Sequence, residues 1–261
     1  MICKIWNWMS NVIIRRFFPS TDTGSPGTTD LVAWWEMDES SAPAVDSHGA
    51  NDLSSWVGSI SSVTGLIGNS LQSNNSFSGL EGAPGIDFRN KDFSVAGWWY
   101  VPGYNDAFPG RLSLLSKRGA FNGRQIQILV AGTNNVSGIT RGNLYAAIWE
   151  NDSSAAWPVY DSGITINTSA RSFIVVTFNN TSKEVGFSVN GSALNQISVG
   201  HSITHGGAPA NPFSLLKDSW ANTNSINGIT IDQTGIFYKA LSQSECDWLY
   251  NSGAGRQYSD L

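Results

Sequence analysis

Charge is scarce in this 261-residue chain: Asp, Glu, Lys and Arg make up only 13%, against 41% hydrophobic residues. Cysteine is scarcer. Cys3 and Cys246, near opposite ends, make neither a disulfide framework nor a zinc site, and both read as free thiols that leave the redox compartment open. No stretch reaches the roughly 18 consecutive apolar residues of a membrane span. The three histidines, His48, His201 and His205, fall in no nucleophile-elbow or His-Glu-x-x-His pattern. The loops "GSPG" and "HGGAP" lack the Gly-Lys-Ser/Thr of a phosphate cradle, and Lys217 and Lys239 have no evident catalytic neighbour. Positive charge is short as well. Lys4, Arg15 and Arg16 put +3 on residues 1–20, so the rest carries −8 of a net −5, which argues against nucleic acid as a partner.

What is plentiful points to β-structure. Gly 27, Trp 11, Phe 12 and many Ser, Thr and Asn suit short strands joined by polar turns. Strand-length apolar runs occur at 92–101, 123–131, 142–150, 171–180 and 184–194, each bounded by turn residues. Phe173, Val175 and Thr177 alternate with Ile174, Val176 and Phe178, and both sets are largely apolar, as in a central strand covered on both faces. Asn190-Gly191 is a hairpin signal. One helix is predicted within 241–253, with Ser242 as N-cap, Glu245 completing a capping box and Gly253 as the stop. Trp34, Trp98, Trp99 and Trp248 sit in these runs and are core candidates. The fold class is all-β: a two-sheet antiparallel jelly-roll sandwich with one short C-terminal helix.

Residues 1–20 differ in kind. Ile2, Ile5, Trp6, Met9, Ile13 and Phe17 recur at helical spacing, and Trp8 and Phe18 add further aromatic surface. A Gly/Pro/Ser/Thr linker follows over 21–30, then a domain over 31–261. The first segment lacks the order of a signal peptide, since its arginines follow the apolar residues and Asn7, Ser10 and Asn11 interrupt them. Three readings stay open: a docking arm that buries Ile5, Trp6, Trp8, Met9, Ile13, Phe17 and Phe18 in another protein, packing on its own domain, and an interfacial membrane helix.

The remaining residues resemble the laminin-G-like, concanavalin A-like jelly rolls. "LVAWWEMDES" (31–40) resembles the family's opening strand, "DSHGANDLS" (46–54) the loop after it, and "GLIGNSLQS" (65–73) the next strand. "FSVAGWWYVP" (93–102), "LLSKR" (114–118), "RSFIVVTFNNTSKEVGFSVNGSAL" (171–194) and "NGITIDQTGIFYKALSQSECDWLYNSGAG" (227–255) follow in family order. The resemblance covers 31–261 and leaves the arm outside. It implies a structural calcium held by Asp46, Asn51 and Asp232, with the His48 carbonyl as filler and Asp38 beside it; Gln233 departs from the Glu frequent there. Asp46 and Asn51 can equally serve as turn-forming side chains.

The same fold hosts glucanases, so Glu36, Asp38 and Glu39 require a decision. Retaining hydrolysis needs two carboxyl groups about 5–5.5 Å apart on one face. On a strand Glu36 and Asp38 share a face, Glu39 does not, and Ser40 and Ser41 stand where a third carboxylate belongs. Sugar contact instead favours aromatic residues in polar settings, where Trp157, Tyr160 and Trp220 are the binding candidates, with Tyr104 and Phe108 nearby in kind. The expected function is a non-enzymatic virion decoration or appendage protein, anchored by residues 1–20 on other virion proteins, located at the virion surface, repeated as copies, and displaying a jelly roll toward host glycans. That assembly resembles surface proteins of tailed bacteriophages. The alternatives are a secreted, extracellular bacterial carbohydrate-binding module and, behind it, a glycoside hydrolase.

Overall fold

The computed structural model describes residues 24–106, 110–118, 123–132, 138–150, 157–204, 212–218 and 226–261. Residues 1–20, Phe108, His205 and Trp220 lie outside them. The described strands are β1 (Leu31–Trp35), β2 (Ser55–Val57), β3 (Ile60–Thr64), β4 (Asn69–Ser73), β5 (Gly79–Gly82), β6 (Phe93–Tyr100), β7 (Arg111–Lys117) and β8 (Ile126–Ala131). They continue with β9 (Asn143–Ile148), β10 (Val159–Thr165), β11 (Ser172–Asn179), β12 (Glu184–Val189), β13 (Asn195–Ser198), β14 (Phe213–Leu215) and β15 (Thr230–Phe237). One helix, α1 (Gln243–Tyr250), follows.

Two antiparallel sheets result. The first runs β13-β12-β11-β6-β15-β4-β3, with β1 also on β15; the second runs β10-β9-β8-β7-β14-β5-β2. Alternation decides what each covers. Ile174, Val176 and Phe178 enter the core between the sheets with Trp35, Trp99, Phe93 and Phe213. Phe173 and Val175 face the other way, into a second cluster where Trp34 and Trp98 meet Cys246, Trp248 and Leu249 of α1. The four predicted core tryptophans are thus all buried. Burial also pushes the free Cys246 thiol up to about 12, so it is inert at neutral pH.

Strand β15 organises the first sheet. One edge pairs with β6, while the other changes partner along its length: Thr230 and Ile231 pair with β4, and Thr234 to Phe237 pair with β1. At the change the register shifts, and Gln233 takes a left-handed φ of 42°. Its amide closes the gap, accepting from Trp34 Nε1 at 3.1 Å and donating to the Glu36 carbonyl at 3.4 Å. A glutamate could not make the second bond. The departure at Gln233 therefore has a local role.

Three local expectations are revised. Strand β1 stops at Trp35 and Met37 adopts φ 65°, so Glu36 and Asp38 are not successive same-face strand residues. Asn190 and Gly191 both have positive φ, but they open a five-residue connection, with Phe187 already opposite Asn195. The Asn190 side chain instead accepts from Phe173 N at 2.8 Å, tying the turn to β11. Helix α1 has the Ser242–Glu245 capping box, yet its left-handed cap is Asn251 rather than Gly253. Within the 21–30 segment, Pro26 is buried, and a Cβ on Gly24 would lie 3.3 Å from the Trp248 Cβ, so this end rests on α1.

Candidate functional site

The three residues expected to hold metal occupy two places. Asp46 sits beside β1, where Oδ1 accepts Trp34 N and His48 N and Oδ2 accepts Asn51 N, all at 3.0 Å. Asn51 turns its amide to the Val32 carbonyl at 3.0 Å. Asp232 lies at the partner change on β15, and its Oδ2 accepts Leu66 N at 2.6 Å and Ile67 N at 3.3 Å. Its Oδ1 is buried with no hydrogen-bond partner. Burial pushes this carboxyl up to about 6 against the pull of those two N–H groups. Asp46 and Asn51 are thus together, whereas Asp232 is bonded to a different loop. Among the described residues no group of three or more His, Cys, Asp or Glu converges as a metal cluster.

Each acid of the opening stretch is held separately. Glu36 accepts from Tyr258 N at 3.3 Å, Asp38 from Asn69 N at 2.5 Å, and Glu39 from Val45 N at 2.7 Å. These bonds go to three different segments. The retaining-hydrolase geometry weighed for Glu36 and Asp38 does not arise from strand alternation here.

Of the aromatic candidates, Tyr160 packs against the inter-sheet core, and its hydroxyl meets the Val199 carbonyl at 3.3 Å and His201 Nε2 at 3.2 Å. Trp157 goes elsewhere. It packs, partly buried, against Trp149, Tyr145 and Leu129, a separate buried cluster on the side of the second sheet turned away from the inter-sheet core. Trp157 and Tyr160 are therefore not brought to one surface.

Sequence reasoning missed what surrounds Trp157. Strand pairing sets Ser214, Ser116, Gln127, Ala147 and Val159 in a row across β14, β7, β8, β9 and β10. Next to that row Leu129, Tyr145 and Asp161 stand in register. Two arginines bracket the β7 part of the face. Arg118 Nε lies 3.0 Å from Asp218 Oδ1, with side-chain exposures of 3% and 0%. Asp218 also accepts the Ser116 hydroxyl at 3.4 Å, which in turn accepts Gln127 Nε2 at 3.3 Å. The Arg111 Cζ stands 3.8 Å from the Trp157 ring centroid, and the Arg118 Cζ stands 5.1 Å from it. Trp149 and Trp157 meet at 5.8 Å and 55°.

The electrostatics of the two arginines differ. Burial pulls Arg118 down, and Asp218 opposes it. Burial pulls Arg111 down to about 10, Tyr145 and Asp218 oppose it, and it stays cationic at neutral pH. Arg111 makes no ion pair or side-chain hydrogen bond among the described residues, and its Nε is buried without a partner. Gln127 Oε1, Trp149 Nε1 and Trp157 Nε1 are also buried and unpartnered. They are not peculiar to this face: Trp98 Nε1, Trp99 Nε1, Ser172 Oγ and Thr230 Oγ1 are likewise buried without a partner. The sequence signal was available in "RLSLLSKR" (111–118), where arginines bracket an otherwise strand-like apolar run.

Residues 66–246 match the profile of the concanavalin A-like lectin/glucanases superfamily. The chain belongs to this superfamily. A search of curated protein sequences finds no match. Among solved structures, the binding domain of Paraclostridial Mosquitocidal Protein 1 is similar at TM-score 0.60 and 19% identity, over 86% of this chain and 52% of that one. Domain 4 of AbnA, an extracellular arabinanase of Geobacillus stearothermophilus solved with arabinotriose, is similar at TM-score 0.59 and 19% identity, over 87% of this chain and 98% of the domain. Trypanosoma rangeli sialidase is similar at TM-score 0.58 and 15% identity, over 88% of this chain and 34% of the sialidase. The chain thus spans about half of the toxin structure and a third of the sialidase. At these identities the likeness is one of fold. The superfamily jelly roll is mostly β with two antiparallel sheets and one short helix, as its sequence implies.

Proposed function

We propose that this superfamily member is a non-enzymatic glycan-binding protein of a virion surface, fixed to other virion proteins by residues 1–20 and presenting the outer face of its second sheet to host glycans. The observation that carries the binding half is the stack of the half-buried Trp157 ring and Arg111 guanidinium at the margin of that face, an aromatic platform beside a cation. The virion half draws on the sequence, where an aromatic, basic arm and a linker precede one jelly roll. Repetition of copies raises avidity for a weakly held sugar. A second reading, a carbohydrate-binding module of a secreted bacterial protein, draws on the end-to-end correspondence with domain 4 of the arabinanase.

A glycan array probed with the full chain tests the binding half. Trp157→Ala is expected to lower the signal on bound glycans about tenfold or more, by analogy with the loss of a buried aromatic anchor. An array without hits, or equal binding by the variant, overturns it. Deleting residues 1–20 separates the two readings: the virion reading requires loss of incorporation into particles with sugar binding retained. Calcium is proposed at the Asp46–Asn51 turn or beside the unpartnered Asp232 Oδ1, which lie apart, and has its own test. A higher melting temperature in excess Ca²⁺ than in EDTA supports it, and identical curves overturn it.

A further inference from the structure

We propose that strand β3 is a docking edge for a second copy of this chain. The two copies pair antiparallel through their β3 strands about Ser62, so that the first sheet runs on from one molecule into the other. The inference goes beyond the glycan reading and draws on a different part of the molecule.

The first reason is an open ladder. Strand β3 ends the first sheet and has β4 as its one strand neighbour among the described residues. The bonds that flank the hairpin fix its alternation: Asn74 N donates to the Ser59 carbonyl at 2.9 Å, and Gly65 N donates to the Gly68 carbonyl at 3.0 Å. Ser61 and Val63 therefore bond β4, while Ile60, Ser62 and Thr64 turn their N–H and C=O groups outward. Among the described residues only one of these outward groups is taken, the Thr64 carbonyl, by Arg171 Nη2 at 2.6 Å.

The second reason is that the other sheet edges are protected and this one is not. Strand β2 has only three residues. Strand β10 carries a register shift between Asp161 and Thr165, and Asp161 adds a charge. Strand β13 is tied back to β10, where Asn195 Nδ2 donates to the Ser162 carbonyl at 2.8 Å. Strand β3 pairs without a shift over five residues and holds no proline and no charge.

The third reason selects the occupant. Antiparallel pairing about Ser62 sets Ser62 opposite its own copy and Ile60 opposite Thr64 of the second copy, so every outward group meets another outward group. Charge points the same way. Copies of a chain with a net charge of −5 repel each other, but no charged residue stands between Asp52 and Glu81. The charges bonded at the 64–69 end, Arg171 and Asp38, have opposite signs. Leu66 and Phe77, two of the three large hydrophobic side chains exposed among the described residues, flank the strand. Leu66 follows its end, and Phe77 lies beside its start, where Ser59 N donates to Ser78 Oγ at 2.7 Å. The two-fold brings the Phe77 end of one copy beside the Leu66 end of the other.

Sedimentation velocity of the full chain over a range of micromolar concentrations tests the inference. The edge is short, so the wild type is expected to pass from monomer to dimer with rising concentration rather than to be dimeric throughout. Ser62→Pro removes an outward N–H and no bond to β4, so it is expected to raise the dissociation constant about tenfold or more while the melting temperature stays close to that of the wild type. If that variant does not fold, Val63→Lys, which places a charge on the edge, must still weaken the dimer. Ser62→Cys in a Cys3→Ser background checks the register: residues paired about the two-fold stand about 5.5 Å apart at Cα, within disulfide reach, and air oxidation is expected to give a covalent dimer on a non-reducing gel. A wild type that stays monomeric overturns the proposal and leaves the edge to a strand of another protein. A dimer unchanged in folded Ser62→Pro and not cross-linked through Ser62→Cys also overturns it, by placing the interface elsewhere. The glycan reading stands or falls separately, on the array.

Discussion

A single carboxyl, Asp232, shows how position along one strand sets chemistry. It stands where β15 changes partner on one edge while still opposite Trp98 of β6 on the other, and the 65–68 loop meets its carboxylate. The loop comes close because residue 65 has no side chain: a Cβ on Gly65 would lie 2.7 Å from Asp232 Oδ2 and 2.3 Å from the Asn69 carbonyl oxygen. Burial is the larger influence and raises the pKa from 3.8 to about 6; Leu66 N, Ile67 N and Arg171 pull it down, and Asp38 pushes it up. The folded state then binds the proton more tightly than the unfolded chain. Stability from this group is full below pH 3.8 and is lost as pH rises through about 6, a change of about 3 kcal/mol at 1.36 kcal/mol per pKa unit. Asp232→Asn keeps an acceptor for Leu66 and Ile67 and cannot ionise. Denaturant melts at pH 4 and pH 7 are expected to show the variant gaining on the wild type by up to that amount at the higher pH. A constant difference between the two proteins across the range overturns the assignment. None of this was legible in the sequence, which offered Asp232 only as an expected metal ligand.

At the scale of elements, legibility followed the range of the interaction that decides each one. The central strands could be read because alternation is a property of adjacent residues: Ile174, Val176 and Phe178 point to one cluster and Phe173 and Val175 to another. The start of α1 was equally local, since Ser242 and Glu245 bond each other's backbone. Ends were harder. Asn251 tolerates the left-handed conformation and stops the helix before Gly253 is reached, while Met37 adopts that conformation with no local preference to announce it. The candidate face was the least legible. Arg111, Gln127, Trp149, Trp157 and Asp218 belong to different strands or the segments flanking them, and only the order β10-β9-β8-β7-β14 makes them neighbours. Single-residue cues found Trp157. They also selected Tyr160, which the pleat sends to the opposite side of the sheet.

The whole molecule is closed by its last segment. Strand β15 is the final strand in sequence, yet it lies inside the first sheet between β6 and the pair β4 and β1. Helix α1 then covers the sheet's outer surface with Cys246, Trp248 and Leu249, against Trp34, Trp98 and Phe173. Until those residues arrive, β6 has an open edge, β1 has no strand partner among the described strands, and the tryptophans of the outer cluster are uncovered. The pairing of Leu31 with Phe237 spans most of the chain and carries a correspondingly large loop-closure cost, which local structure cannot offset. Each large buried side chain lost with the segment removes about 2–5 kcal/mol, so two or three of them match the whole stability of an ordinary domain. A chain ending at residue 225 is therefore expected to show no cooperative thermal transition by circular dichroism and to be digested rapidly by a nonspecific protease, whereas the full chain melts cooperatively. A sharp transition in the shortened chain would mean that the second sheet folds without the first.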